Sequence, residues 1–308
     1  MNVLEGPWQD WKPPKGRKSL TIGVLDGVHL GHRSLLAKLR PSMIRTVLTF
    51  DPHPLEVLVP GAHPRLITTL PERIELFGTV GVECVGVLDL AGIKDLAPEA
   101  FVSDVLVSLL DVGHIVVGED FRFGQDRSGD VALLAGLGAE LTFEVETIPI
   151  LGRGGETVSS SRIRGLIEEG DVAAAAELLA SRYTISGMVI DGDKRGRDLG
   201  FPTANIRPPS QKVIPASGVY AGLVTVAEET HQAAINVGVR PTFGEGELLV
   251  EAFILDFDAD LYGQRIAIEF VERLRPELAF ADVSELVEAM RADVVKARSI
   301  LGRTGARM

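Results

Sequence analysis

At 308 residues, 45% hydrophobic and 24% charged, the chain is long for one domain and comfortable for two, and its composition excludes a disordered tail. A formal net charge of −12 without any Lys/Arg run excludes the broad basic face that nucleic acid needs, so phosphates would be held locally by helix termini and a few cations. Its one cysteine, Cys84, excludes an internal disulfide and argues for a reducing, cytoplasmic setting, while apolar runs far shorter than the ~20 residues of a bilayer span predict no membrane partner.

The opening MNVLEGPWQDWKPPKGRK has no apolar core, so it reads as a loose lead-in with Trp8 and Trp11 as anchors, not as a signal peptide. From Ser19 to about Ala180, strand and helix patterns alternate. SLTIGVL, IRTVLTF, CVGVLDL, HIVVGED and LTFEVETIPI read as strands; RSLLAKL, PERIELFGTV and PEAFVSDVLVSLL read as helices between them. Asp51-Pro52-His53-Pro54 forces the second strand out of the sheet. This pattern predicts a parallel sheet covered by helices on both faces, with ligands beyond the carboxyl ends of its strands. SRIRGLIEEG and DVAAAAELLA follow as two helices, the first stopped by Gly170 and the second capped by Asp171.

Beyond Ala180 the period changes. YTISGMVIDGD, GVYAGLVTVA, HQAAINVGV, LLVEAFILDF and QRIAIEFVERL are strand-like runs split by turns, with no helix until VSELVEAMRADVVKARSIL. They predict an antiparallel sheet or small barrel closed by one long terminal helix. The expected domains are therefore residues 1–180 (α/β) and 181–308 (antiparallel β-barrel with a terminal helix).

Three clusters carry chemistry in the first domain. His29-Leu30-Gly31-His32 falls between a strand and a helix start, where backbone N–H groups favour anions and Gly31 leaves room for a flat ligand. It suits a nucleotide triphosphate cradle, although two histidines capping a helix or packed beneath the sheet explain it too. Zinc is a further alternative, but no carboxylate or thiol set completes such a site. Ser159-Ser160-Ser161-Arg162-Ile163-Arg164 sets hydroxyls before a helix and arginines in its first turn. That arrangement suits a bound anion, or plain N-capping beside solvated arginines. Gly118-Glu119-Asp120-Phe121-Arg122-Phe123-Gly124 either holds a planar ligand between Phe121 and Phe123 or is a loop with buried aromatics.

In the second domain, Pro202-Thr203-Ala204-Asn205 puts a hydroxyl and a carboxamide on a rigid turn suited to magnesium and phosphate. Glu251 interrupts an otherwise apolar strand, with Leu249, Phe253 and Leu255 on its own face and Leu248, Val250, Ala252 and Ile254 on the other. A carboxylate there costs several kcal/mol, roughly, unless partnered or shifted in pKa, which marks Glu251 as a general base. Lys194, Arg195 and Arg197 read as a phosphate-closing loop or a solvated turn.

Together TIGVLDGVHLGH, FDPHP, GEDFRFG, VSSSRIR, GRDLGFPTANI, GVYAG, NVGVRPTF, VEAFILDF with DADLYG, and the final helix stand in one order from Thr21 to about Leu301. In that order they resemble the bacterial bifunctional riboflavin kinases/FAD synthetases. The resemblance implies a Rossmann-like nucleotidyltransferase domain followed by a riboflavin-kinase barrel. It implies riboflavin, FMN and ATP as small-molecule substrates, Mg²⁺ as cofactor, and no nucleic-acid or membrane partner; weak homo-oligomerisation stays open. Carried over by residue, His29 and His32 match the ATP-phosphate pair, and Ser160, Ser161 and Arg164 the second phosphate signature. Asp120 matches a position near nucleotide or flavin, Thr203 and Asn205 the magnesium-ATP motif, and Glu251 the base that activates the ribityl hydroxyl. The chain departs from the commoner GNFDGVH wording at Val24 and Leu25, and carries Ser161 where Thr is common. The implied function is phosphorylation of riboflavin to FMN, then adenylylation of FMN to FAD. The rivals are a chain with only the kinase half active, a non-catalytic flavin binder, and an adenylyltransferase for another phosphorylated cofactor.

Overall fold

The computed structural model describes residues 1–61, 63–191, 201–240 and 247–304; the Lys194, Arg195 and Arg197 cluster lies outside them. The chain divides into two compact units, Met1–Ser160 and Ser161–Met308.

In the first unit, β1 (Asn2–Leu4), β2 (Lys18–Ile22), α1 (Leu30–Leu36), β3 (Ile44–Phe50), α2 (Pro54–Leu58), α3 (Leu70–Thr79) and β4 (Cys84–Leu88) come in order. They are followed by α4 (Pro98–Ala100, continued as a π-helical stretch over Phe101–Leu109), β5 (Val112–Gly118), α5 (Val131–Leu141) and β6 (Glu144–Ile148). A two-stranded ribbon, β7 (Gly152–Arg153) and β8 (Glu156–Thr157), ends the unit. Strands β1 to β6 form one parallel sheet in the order β1-β4-β3-β2-β5-β6. Both faces are covered, as parallel sheets require. Leu20, Leu48 and Ile115 pack with Phe101, Val105, Leu106 and Leu134 in one core; Val47, Val85 and Val116 pack with Val28, Leu36 and Phe77 in another. Cys84 is buried in β4, and burial pushes its thiol up to about 11, so it is an inert core residue.

The N-terminal segment is more than a lead-in. Asn2–Leu4 add a sixth strand, parallel to β4, and Trp11 enters the core at 6% exposure with its indole N–H donating to the Gly6 carbonyl at 3.1 Å. Gly86 makes room for that ring, since a Cβ there would stand 2.8 Å from it. Three residues are too few for a legible period, which hid the strand. Between HIVVGED and LTFEVETIPI the structure adds α5, which is absent from the helices read in the sequence because its interior glycines Gly136 and Gly138 weaken the helical pattern.

The second unit runs α6 (Ser160–Glu169, beginning at the last residue of the first), α7 (Val172–Leu179), β9 (Tyr183–Ile190), β10 (Ala204–Ile206), β11 (Gly218–Val226), β12 (Glu229–Arg240), β13 (Glu247–Ile254), β14 (Arg265–Pro276) and α8 (Val283–Thr304). The strands close a barrel in the order β10-β13-β12-β11-β14-β9, every pairing antiparallel. Closure comes from β10, which bridges β9 and β13, and not from the terminal helix. The PTAN segment is therefore part strand rather than wholly turn. Tyr220, Ile235, Val237, Val250, Ala252, Ile268 and Phe270 are fully buried and fill the interior. Gly222 sits at a register shift between β11 and β14, where any Cβ would overlap Ile235 and the Glu269 carbonyl. Outside, Val219 and Ala221 pack against Ala297, Ile300 and Leu301 of α8.

Truncating the Trp11 ring tests whether the first residues belong to the core. Trp11→Ala is expected to destabilise the first unit by about 3–5 kcal/mol in urea unfolding. A loose lead-in would lose less than about 0.5 kcal/mol.

Two candidate active sites

The sheet of the first unit reverses direction between β2 and β5: the chain moves from β2 through β3 to β4, then returns to the other side of β2. Ligands of open α/β sheets bind at such a switch point, beyond the strand ends. Two of the expected clusters lie there: His29–His32, reached through the Gly23–Val28 segment after β2, and Gly118–Gly124 at the end of β5.

The Gly23–His29 segment is strained. Leu25 (φ 53°), Gly27 (φ 82°) and Val28 (φ 42°) have positive φ, a rare state for a β-branched valine. Such geometry persists only where surroundings over-determine it. The Asp26 carboxylate accepts the N–H groups of Ile67 (3.0 Å) and Thr68 (2.8 Å) and the Thr68 hydroxyl (3.0 Å), while Gly27 N–H donates to that hydroxyl (3.0 Å). The Val24 carbonyl accepts the Thr49 hydroxyl (2.9 Å) and the Arg73 guanidinium (2.5 Å). The turn uses the backbone carbonyl of Val24, and Leu25 is a core residue at 4% exposure, so both departures from the commoner wording are compatible with this geometry.

That turn delivers His29 to the N-cap of α1, where its Nδ1 accepts the His32 N–H at 3.4 Å. The two rings stack with centroids 3.5 Å apart and planes 20° from parallel. Gly31 is explained by this stack, since a Cβ there would stand 3.1 Å from the His29 ring. The space above it belongs to that ring and not to a flat ligand. Burial, helped by His29 and the Arg73 cation, holds the His32 pKa well below 6.5, so His32 is neutral at neutral pH and offers a fixed hydrogen-bonding edge. Ser160, the last residue of the first unit, donates through its Oγ hydroxyl to the Asp26 carbonyl of the same turn at 3.0 Å. Ser161 and Arg164 meet each other on α6, the guanidinium donating to the hydroxyl at 3.2 Å.

After β5, Asp120 is exposed and its carboxylate folds over Gly118. Phe121 and Phe123 stack directly on one another, centroids 5.6 Å apart and planes within 15°. No slot remains between them for a planar ligand, because Phe123 is drawn into the core beside Phe101. Only the outer surface of Phe121, which is half-buried, stays available.

In the barrel, register assembles the second site. Val219 on the helix-covered outer face pairs with Asn236, Asn236 with Glu251, and Glu251 with Asn205. Residues directly opposite in antiparallel strands share a face, so Asn205, Glu251 and Asn236 form a polar row on the outside, with Cβ atoms about 5 Å apart. Glu251 is half-buried, not sunk in apolar core, so the desolvation cost expected from its strand is smaller than the pattern suggests. The Asn205 side-chain N–H donates to the Thr203 carbonyl at 3.3 Å, which orients its Oδ1 away. That oxygen is buried and meets no hydrogen-bond donor among the described residues. An orphaned carbonyl oxygen on Asn205, two residues along the chain from Thr203, fits a hard cation that keeps most of its shell from water and phosphate. Among the described residues, no group of three His, Cys, Asp or Glu side chains forms an all-protein metal cage.

Asp26, Arg73 and Asn236 were missed as candidates, each for a definable reason. Asp26 and Asn236 lie within quoted motifs, but their roles depend on the loop across from Asp26 and the strand paired with Asn236. Arg73 did leave a signal: it stands on the Leu70-Ile74-Phe77 face of α3, where a hydrophobe is expected.

His32 and His114 both have pKa values lowered below 6.5, with burial the first cause in each. The unfolded chain therefore binds more protons in the window below 6.5, and stability falls there as pH falls. Urea midpoints followed from about pH 8 to about pH 5 are expected to be flat above 6.5 and to drop below it, with the drop reduced in His32→Gln. An unchanged slope in that variant would contradict the neutral assignment.

Both halves match known family models: residues 12–162 match the model described as FAD synthetase, and residues 179–301 the one described as riboflavin kinase. The Escherichia coli (strain K12) protein named bifunctional riboflavin kinase/FMN adenylyltransferase is 35% identical over 99% of each chain. A Pseudomonas fluorescens protein of the same name is 37% identical over 91% of this chain and 92% of its own. A Streptococcus pneumoniae crystal structure described as a macrolide-efflux protein superposes with a TM-score of 0.88 at 28% identity, covering 97% of this chain and 99% of that one. Among the described residues of this chain, no helix is long and apolar enough to cross a membrane. With two domain matches and full-length relatives above 30% identity, the chain belongs to the bifunctional riboflavin kinase/FMN adenylyltransferase family.

Proposed function

We propose that the chain converts riboflavin to FMN and FMN to FAD with two sets of residues, residues 181–308 performing the phosphorylation and residues 1–180 the adenylyl transfer. The observation that carries the kinase half is the outward row Asn205–Glu251–Asn236 with the orphaned Asn205 Oδ1 at its edge. Glu251 accepts the proton of the ribityl hydroxyl as that oxygen attacks the γ-phosphate of ATP. Thr203 and Asn205 would hold Mg²⁺, which when bound neutralises charge on the phosphates. Asn236, on the other flank of Glu251, offers its carboxamide to the acceptor side. The remainder of the catalysis is positioning.

In the adenylyl transfer the phosphate of FMN attacks the α-phosphate of ATP and pyrophosphate leaves, so no side-chain nucleophile is needed. His29 and His32 meet the growing negative charge as oriented imidazoles beside Gly31. Ser160, Ser161 and Arg164 supply donors from the start of α6. Asp120 and the outer face of Phe121 line the flavin side, with Phe123 supporting Phe121 from the core. The substrates are riboflavin, FMN and ATP, and the composition offers no nucleic-acid face. We read the setting as cytoplasmic.

Chromatographic separation of flavins after incubation with riboflavin, ATP and Mg²⁺ tests both assignments. The parent protein is expected to accumulate FAD through FMN. Glu251→Gln is expected to stop at riboflavin, with a loss of about 10²–10⁴-fold, and His29→Ala to stop at FMN. FMN alone from the parent protein would leave only the kinase active, and no turnover would leave a flavin binder.

A further inference from the structure

Arg73 is among the largest fully buried side chains of the described residues, at 1% exposure on α3, yet it is a cation on a helix face otherwise given to Ile74 and Phe77. A buried guanidinium is costly unless its donors are used. One of its N–H groups donates to the Val24 carbonyl, while its Nε is buried and meets no acceptor among the described residues. Leaving such a donor unmet is costly, and a leucine or methionine would avoid the cost. Local rules broken in this way are expected where function needs them.

What Arg73 grips is the entry to the strained turn. Val24 lies just before Leu25, the first of the positive-φ residues, and Asp26 just after it is pinned to Ile67 and Thr68. The Arg73 bond and the Asp26 bonds thus bracket Leu25. Asp26 and Asp51 stand near enough for their charges to favour the guanidinium, and the guanidinium in turn acts on His32.

We propose that Arg73 is a positioning residue for adenylyl transfer: its buried guanidinium holds the Val24 carbonyl, and with it the strained Leu25–Val28 turn and the stacked His29–His32 pair. The inference rests on the reading of that pair as the adenylyl-transfer site. Arg73 touches no substrate. It fixes where the imidazoles stand, and a misplacement near 1 Å costs about 10²-fold in rate.

The test measures FMN adenylylation and riboflavin phosphorylation on the full chain for Arg73→Met, Arg73→Lys and His32→Ala, well below each variant's melting transition. Arg73→Met is expected to lose about 10²-fold in kcat for adenylylation with the KM for FMN unchanged. Arg73→Lys keeps a cation but not the planar fork, and is expected to lose about tenfold. Both are expected to phosphorylate riboflavin at the parent rate, a split that general destabilisation would not produce. If Arg73→Met does not fold, as judged by circular dichroism, Arg73→Lys decides. Either folded Arg73 variant adenylylating at the parent kcat overturns the inference, while loss of activity in His32→Ala keeps the site reading. His32→Ala at the parent kcat would sink the site reading and this inference together.

Discussion

Both units fill the space between their secondary structures with hydrocarbon, and that constraint decides where chemistry can stand. The parallel sheet carries side-chain cores on both faces, so polar groups that must meet a ligand are left with the strand ends. The barrel interior is packed by Tyr220, Ile235, Val250, Ile268 and Phe270, so its polar row is left with the outer wall. Alternation then does the rest: with Val219 and Ala221 committed to α8, the cross-strand partner of Val219 must also face outward, and Asn236, Glu251 and Asn205 follow in turn.

The two candidate sites offer different groups to an anionic substrate despite an overall charge of −12. The proposed adenylyl-transfer set combines the fixed hydrogen-bonding edges of His29 and His32 with the cation of Arg164. His32 is neutral at neutral pH, and the buried Arg73 guanidinium donates to the Val24 carbonyl in the turn before the imidazoles. Preorganised dipoles cost no reorganisation when charge develops. In the barrel, an acceptor-rich pair, Thr203 and Asn205, is suited to a cation that arrives with the phosphates.

Much of this arrangement was legible in residue order. Long periodic segments such as IRTVLTF and VSELVEAMRADVVKARSIL announced their type, and the switch from strand–helix alternation to successive strands announced two architectures. Short elements did not: β1 and β10 have three residues each, too few to show a period, and β10 is the strand that closes the barrel. Glu251 stood out because it breaks an apolar strand, although the structure makes it half-buried on an outer wall rather than desolvated in a core. The pairing of Phe121 with Phe123 was open to two readings because residue spacing says nothing of ring separation, and 5.6 Å between centroids excludes a ligand between them. Asn236 and Arg73 needed partners distant in sequence, a β-register and a strained carbonyl, before their chemistry had meaning.

The central claim is that each of the two reactions is carried by its own set of residues, so that a chain damaged in one set keeps the other whole. Mixing Glu251→Gln and His29→Ala proteins with riboflavin, ATP and Mg²⁺ tests this most directly. The mixture is expected to form FAD, with FMN released by the second protein and adenylylated by the first. A mixture that stops at riboflavin or at FMN would contradict the account.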